Sequence, residues 1–394
     1  MDSQIKQYMS RRDLLRHGGT ASLAALLSDL CPTANAGELG FRSPTSPVAI
    51  ARCTSYGSAA VTNQLSQMFN NIGGIKKLVA GKTVAVKVNL TASPGPKALN
   101  MEPGRTYQVH PDVVLATAIL LEKAGAKRVR FLEGTYSHQP IQKTLIDAGW
   151  DLKALAALTI PVEFEDTRNA SGKGYVTLKV PGGGDLYPAY TLNRSYVDCD
   201  VYVSLAKLKN HRAAGVTLGM KNSFGITPTS LYANSKGDEG FLGARMSVIH
   251  AGTENPAAGV AQEIDPKSPR LESYRVPRHI VDITGIRPVD LTVIDGIETI
   301  SAGEGPWHNG IAFQKPGLLI VGRNVVCTDA VATACMGCDP LSPRASGPFP
   351  GDNHLVMAAR RGLGDCDVKH IEVRGLSIKE ALHSFGWEPN KRNT

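Results

Sequence analysis

The chain lacks most of the signatures that identify a protein from its sequence, and each absence removes a class of function. After the first thirty residues no run reaches the roughly 18 apolar residues of a membrane helix, so stable membrane insertion is not expected. The net charge of +8 over 394 residues is mild, and the Lys and Arg residues are scattered outside one cluster, which is no footprint for nucleic acid. There is no Gly-x-Ser-x-Gly elbow and no His-Glu-x-x-His, which sets aside serine hydrolases and zincins. Gly81-Lys82-Thr83 mimics the end of a phosphate loop, but Lys76 stands where that loop needs glycine, and a strand rather than a helix should follow. Gly182-Gly183-Gly184 lacks the strand-then-helix setting of a dinucleotide fingerprint. The close C-x2-C-x2-C run of a ferredoxin is missing too, so an iron-sulfur cluster is not expected. No repeat of fixed period is visible.

What is present is an ordinary globular composition, 42% hydrophobic and 20% charged. Residues 1–36 read as an export signal. Ser10-Arg11-Arg12-Asp13-Leu14-Leu15-Arg16 resembles the twin-arginine consensus, a short apolar stretch follows, and Ala34-Asn35-Ala36 offers a small-residue cleavage site. The expected location is therefore periplasmic or otherwise extracytoplasmic, with the twin-arginine translocase as a partner during export. Cys31 follows Leu30 where lipidation needs a small residue. Six cysteines lie beyond the leader. Cys335 and Cys338 have redox-motif spacing at the end of an expected helix rather than its start, leaving structural, disulfide and redox readings open.

After a linker over 37–47, β-like and helical runs alternate, predicting one α/β domain over 48–394, a mainly parallel or mixed sheet flanked by helices. Strands are expected at 48–52, 83–90, 128–132, 161–165, 201–206, 291–294, 317–322 and 370–374. Helices are expected at 59–78, 111–124, 141–157, 278–287, 329–336 and 353–361. From 230 to 275 the pattern dissolves into Gly, Pro, Ser and charge, predicting a long irregular insertion of the kind used as a lid or arm.

The densest chemistry lies just past the strand at 201–206. In an extended segment Lys207, Lys209 and His211 would share one face, and like charges about 4 Å apart repel by about 4 kcal/mol at intermediate dielectric, so something negative should sit opposite them. Lys221 and Asn222 follow within the same stretch. Lys87 and Asn89 stand two apart at another strand end, and Glu133 follows a third. Ligands of open α/β sheets bind beyond the carboxyl ends of strands, where all of these should emerge. Asp295, Glu298 and Glu304 occupy Gly-rich turns and can either coordinate a hard divalent cation or neutralise the lysines. Asp329 can cap a helix or join them. His211 is the natural acid-base candidate because its pKa lies near neutrality, and it is equally suited to simple anion contact.

Together these residues resemble the family called domain of unknown function 362. The resemblance runs through Lys87-Val88-Asn89 (usually Lys-Pro-Asn), Leu132-Glu133-Gly134, residues 206–211 with Thr217 and Met220-Lys221-Asn222, Asp295-Gly296-Ile297-Glu298, Gly303-Glu304-Gly305-Pro306, Asp329-Ala330-Val331-Ala332 and Met336-Gly337, covering about 48–375. It implies no agreed reaction. Some members carry an iron-sulfur module, whose cysteine runs this chain lacks.

The expectation is an exported enzyme for a small carboxylate or phosphate. His211, Lys209 and Lys221 would do the chemistry, and Lys87, Asn89, Glu133, Lys207 and Asn222 would hold the anion. Asp295, Glu298 and Glu304 would hold a divalent metal if there is one. The alternative is a non-catalytic periplasmic binding or redox-accessory protein.

Overall fold

The structure, a computed structural model, describes residues 43–168, 174–233 and 236–386. The twin-arginine leader expected over 1–36 and the first part of the 37–47 linker lie outside the described residues.

The chain forms strands β1 (Val48–Arg52), β2 (Thr83–Val88), β3 (Arg128–Glu133), β4 (Val162–Asp166), β5 (Tyr175–Lys179), β6 (Ala189–Asn193) and β7 (Val201–Lys207), and then the two-residue β8 (Asn210–His211) and β9 (Gly215–Val216). After these come β10 (Leu291–Gly296), β11 (Thr299–Ser301), β12 (Ala312–Gln314), β13 (Leu318–Gly322) and β14 (Val373–Gly375). Eight of them build one sheet in the order β14-β1-β13-β10-β7-β2-β3-β4. All its pairings are parallel except the two made by β13, so the sheet is mixed and mainly parallel, as expected. Its central strands read as unbroken apolar runs because helices cover both faces.

The faces are distinct. Val84, Val86, Val203, Leu205 and Val293 meet the helices Ser58–Asn71 and Pro111–Lys123. Ala85, Leu132, Tyr202, Ala206 and Ile294 meet Leu218–Ser223, Glu272–Ile286 and Val325–Cys335.

Several elements differ from the sequence expectation for local reasons. The helix expected at 59–78 is two, Ser58–Asn71 and Lys76–Val79, split where Gly73 and Gly74 take left-handed φ of 89° and 76°. The one expected at 141–157 is also two, and Asp151 caps the second through the amide of Ala154. The helix expected at 278–287 begins at Glu272. That expected to open at Asp329 begins at Val325, with Asn324 accepting from the Val326 and Cys327 amides, so Asp329 lies mid-helix and does not cap it.

The stretch 230–275 is irregular, yet it is packed. It holds a π-helical turn over Met246–His250, and Val248 and Ile249 are fully buried. The buried Arg275 guanidinium ties it down, donating to the Val248 and Ile249 carbonyls and to Glu263.

Candidate functional site

The residues singled out in the sequence converge on the carboxyl ends of the central strands, but on both sides of the sheet. Parallel register sets Lys87 opposite Ser204, and Asp295 opposite Lys207. Lys87 therefore continues the face of Ala85, while Lys207 and Asp295 continue that of Val203, Leu205 and Val293. They do not form one wall.

On the Lys207 side the charge is closed off. Lys207 Nζ donates to Asp295 Oδ2 at 2.9 Å, to the Gly104 carbonyl at 2.8 Å and to Tyr56 Oη at 3.1 Å, and neither charged side chain meets solvent. Asp295 also accepts from the Tyr56 hydroxyl and from the His110 and Ile297 amides. The Tyr56 ring stacks on His110 at 3.6 Å. Glu298 turns away to Arg105 at 2.6 Å and Lys315 at 3.2 Å. Asp295, Glu298 and Glu304 thus each have their own cationic or N–H partners, and among the described residues no three His, Cys, Asp or Glu side chains are placed to hold a metal. The expected metal set is not assembled.

Lys87 is similarly committed. Its Nζ donates to Glu133 at 2.8 Å, to the Val88 carbonyl and to Asn222 Oδ1 at 3.3 Å. Asn222 Nδ2 donates to Ser204 Oγ and to the Lys87 and Leu205 carbonyls, tying the helix Leu218–Ser223 to β2 and β7. Asn89 Nδ2 reaches Thr91 and, at 3.5 Å, Asn222, while its buried Oδ1 has no partner among the described residues. Gly225 lies against this amine: a Cβ there would come within 3.1 Å of Lys87 Cε. Of the residues expected to hold a ligand, Lys87, Glu133 and Asn222 bond one another and the backbone, and Lys207 bonds Asp295, Tyr56 and the Gly104 carbonyl.

Two lysines are left over. Lys209 Nζ is buried, donates among the described residues to the carbonyls of Tyr107 at 2.6 Å and Glu304 at 3.0 Å, and lies 5.6 Å from the Tyr107 ring centre. Lys221, partly exposed, makes no hydrogen bond or ion pair among the described residues, and its ammonium lies 3.8 Å from the centre of the Phe224 ring. Burial pulls Lys209 down to about 7 against the attraction of Glu304, with Lys221, Lys207 and Lys87 adding to the fall. Lys221 likewise drops to about 7, first through burial and then through Arg245 and Lys87, while Glu304 and Glu272 oppose. The Arg245 guanidinium donates to the Thr227 and Gly225 carbonyls and lies 5.9 Å from the Phe224 ring centre.

His211 borders the two lysines. Its Nδ1 accepts from the Ala213 and Ala214 amides and stands 3.8 Å from Glu304 Oε2. An accepting Nδ1 fixes the neutral tautomer with its proton on Nε2. Burial, helped by Lys221 and Lys209, holds its pKa well below the ordinary histidine value. Glu304 takes three donors: His308 Nε2 at 2.6 Å, Trp307 Nε1 at 3.2 Å and the Arg212 amide at 3.1 Å. Within this pair the carboxylate carries the charge and the imidazole is neutral. His211 is thereby a fixed hydrogen-bond donor, and the titrating groups beside it are lysines.

The glycines of Gly303-Glu304-Gly305 have a packing reason. A Cβ on Gly303 would sit 2.8 Å from the His308 ring, and one on Gly305 2.3 Å from the Trp307 indole, so both rings lie directly on the loop. The helix carrying Lys221 is held by Asp329, which accepts from the Gly219 and Met220 amides at 2.8 and 2.7 Å. Sequence reasoning missed Tyr56, His110, Arg105, Phe224 and Arg245. Of these only Phe224 had a signal, following Lys221 and Asn222 in the cationic stretch. The six described cysteines are free thiols, and burial pushes Cys335 up to about 12 and Cys338 to about 11.

Comparison with known proteins places the chain. A thylakoid-associated protein of Synechocystis sp. is 27% identical over 297 residues, covering 75% of this chain and 76% of that protein. The lactate racemase apoprotein of Thermoanaerobacterium thermosaccharolyticum aligns with a TM-score of 0.35 at 14% identity, over 68% of this chain and about half of that one, 54%. The profile of the family described as Domain of unknown function (DUF362) matches residues 84–334, from β2 to the helix that holds Asp329. The chain belongs to this family.

Proposed function

We propose that this protein is exported and binds a small carboxylate or phosphate between Lys221, Lys209 and the Nε2–H of His211, acting on it by proton transfer. The observation that carries the reading is Lys221, a half-buried cation with an aromatic ring beneath it and, among the described residues, no hydrogen bond or ion pair. Lys221 and Lys209, the latter buried and held by carbonyls rather than a carboxylate, are two cations without an ion pair among the described residues, an arrangement an anion can neutralise. Lys87 borders the site from a committed position. Lys221 is the proton carrier, because a pKa of about 7 leaves acid and base forms both populated at neutral pH, whereas His211 is locked neutral.

Melting temperatures measured across phosphate and a series of small carboxylates test the reading. A rise in the wild type that vanishes in Lys221→Met is the expected result. An equal rise in both proteins would refute it.

A further inference from the structure

We propose that Lys221 is a nucleophile that forms an imine with a 2-oxo acid. The inference rests on the anion-binding reading above and narrows its ligand to an acid with a carbonyl next to the carboxylate. Three features of the geometry point there. Among the described residues Lys221 Nζ has no hydrogen-bond acceptor, so neither an ion pair nor a carbonyl there holds its lone pair out of reaction, in contrast to Lys87, Lys207 and Lys209. Burial, with Arg245 and Lys87, outweighs the pull of Glu304 and Glu272 and lowers the Lys221 pKa to about 7, so an unprotonated, nucleophilic fraction exists at neutral pH. Finally, the helix Leu218–Ser223 is fixed at both ends of its short length, by Asp329 at the Gly219 and Met220 amides and by Asn222 at β2 and β7, which gives the amine a set position.

The remaining groups suit the rest of such a ligand. Lys209 offers the carboxylate a cation. His211 Nε2–H is a neutral donor for the carbonyl oxygen, able to polarise it without giving up its proton. In the step itself Nζ attacks the carbonyl carbon and the C–N bond forms. The carbonyl oxygen then leaves as water with the two amine hydrogens, and one proton from solvent makes the product an iminium. No oxidant or reductant is consumed.

Pyruvate with sodium cyanoborohydride tests this, because hydride from the reagent reduces the iminium to a stable secondary amine. Intact-mass and peptide analysis at pH 7 should show one adduct per chain, of the mass of pyruvate less one oxygen atom, on the peptide holding Lys221. Lys221→Arg, which keeps the cation, should still be stabilised by pyruvate but gain no adduct there. Labelling spread over surface lysines, and equal in wild type and Lys221→Arg, would overturn the imine. So would a pyruvate-induced rise in melting temperature with no adduct, and in that case anion binding itself stands. Neither adduct nor stabilisation by any anion removes both readings.

Discussion

Lys207 Nζ and Asp295 Oδ2 meet at 2.9 Å across adjacent parallel strands, with both side chains sealed from solvent. The pair answers the demand for negative charge that Lys207 raises, and does so within the chain. Removing one partner leaves the other charge buried and alone, at a cost of about 3–5 kcal/mol. Urea unfolding of Lys207→Met and of Asp295→Asn should each show a loss of that order. The double variant Lys207→Met/Asp295→Leu should lose less than the sum of the two single changes.

Asp329 is a second strut, and it acts on the site through the backbone. In Asp329→Ala the Gly219 and Met220 amides lose their acceptor, each costing about 1–3 kcal/mol. The helix carrying Lys221 loosens with them. Chemical unfolding should report the stability loss, and anion-induced stabilisation should shrink even though Asp329 touches no ligand.

The two lysines with pKa near 7 set a pH dependence whose sign is fixed. Both are lowered from the ordinary lysine value of 10.5, so between pH 7 and about 10 the unfolded chain binds more protons than the folded one. Stability of the ligand-free protein should therefore rise as pH increases through this window, other groups being equal, and level off at its lower value below pH 7. Anion binding runs the other way, strongest below pH 7 and fading toward pH 9 as the ammonium groups lose their protons. Melting curves at pH 6, 7, 8 and 9 with and without phosphate read both slopes.

Buried Cys335 and half-buried Cys338 should be inert. With Cys335 up at about 12 and Cys338 at about 11, little thiolate exists at pH 8. Iodoacetamide under native conditions should leave both unmodified on a timescale that labels them fully in urea, and fast labelling of the pair would indicate a redox role.

The sheet was legible because its strands, buried on both faces, are uninterrupted apolar runs, and the register of β7, β2 and β10 brings together the strand ends that the sequence marks. Helix bounds were less so. Nothing local distinguishes Asn324 as a cap from Asp329 as one, and only the docked helix Leu218–Ser223 decides it. Within the site, charged residues could be recognised but not their partners. Lys87, Lys207 and Lys221 look alike in sequence, and long-range contacts to Glu133, Asp295 and the Phe224 ring separate two structural cations from one free one. Tyr56 and His110 belong to the Lys207 network through contacts 151 and 185 positions apart, which no spacing rule reaches.

The central claim is that Lys221 is the vacant cation of an anion site. Calorimetric titration of phosphate and pyruvate at pH 6 into wild type and Lys221→Met tests it most directly. The account predicts saturable one-to-one binding of at least one of the two anions to the wild type, weakened tenfold or more in the variant, with unfolding by urea little changed. Binding of equal strength in the two proteins, or none to the wild type, would contradict it.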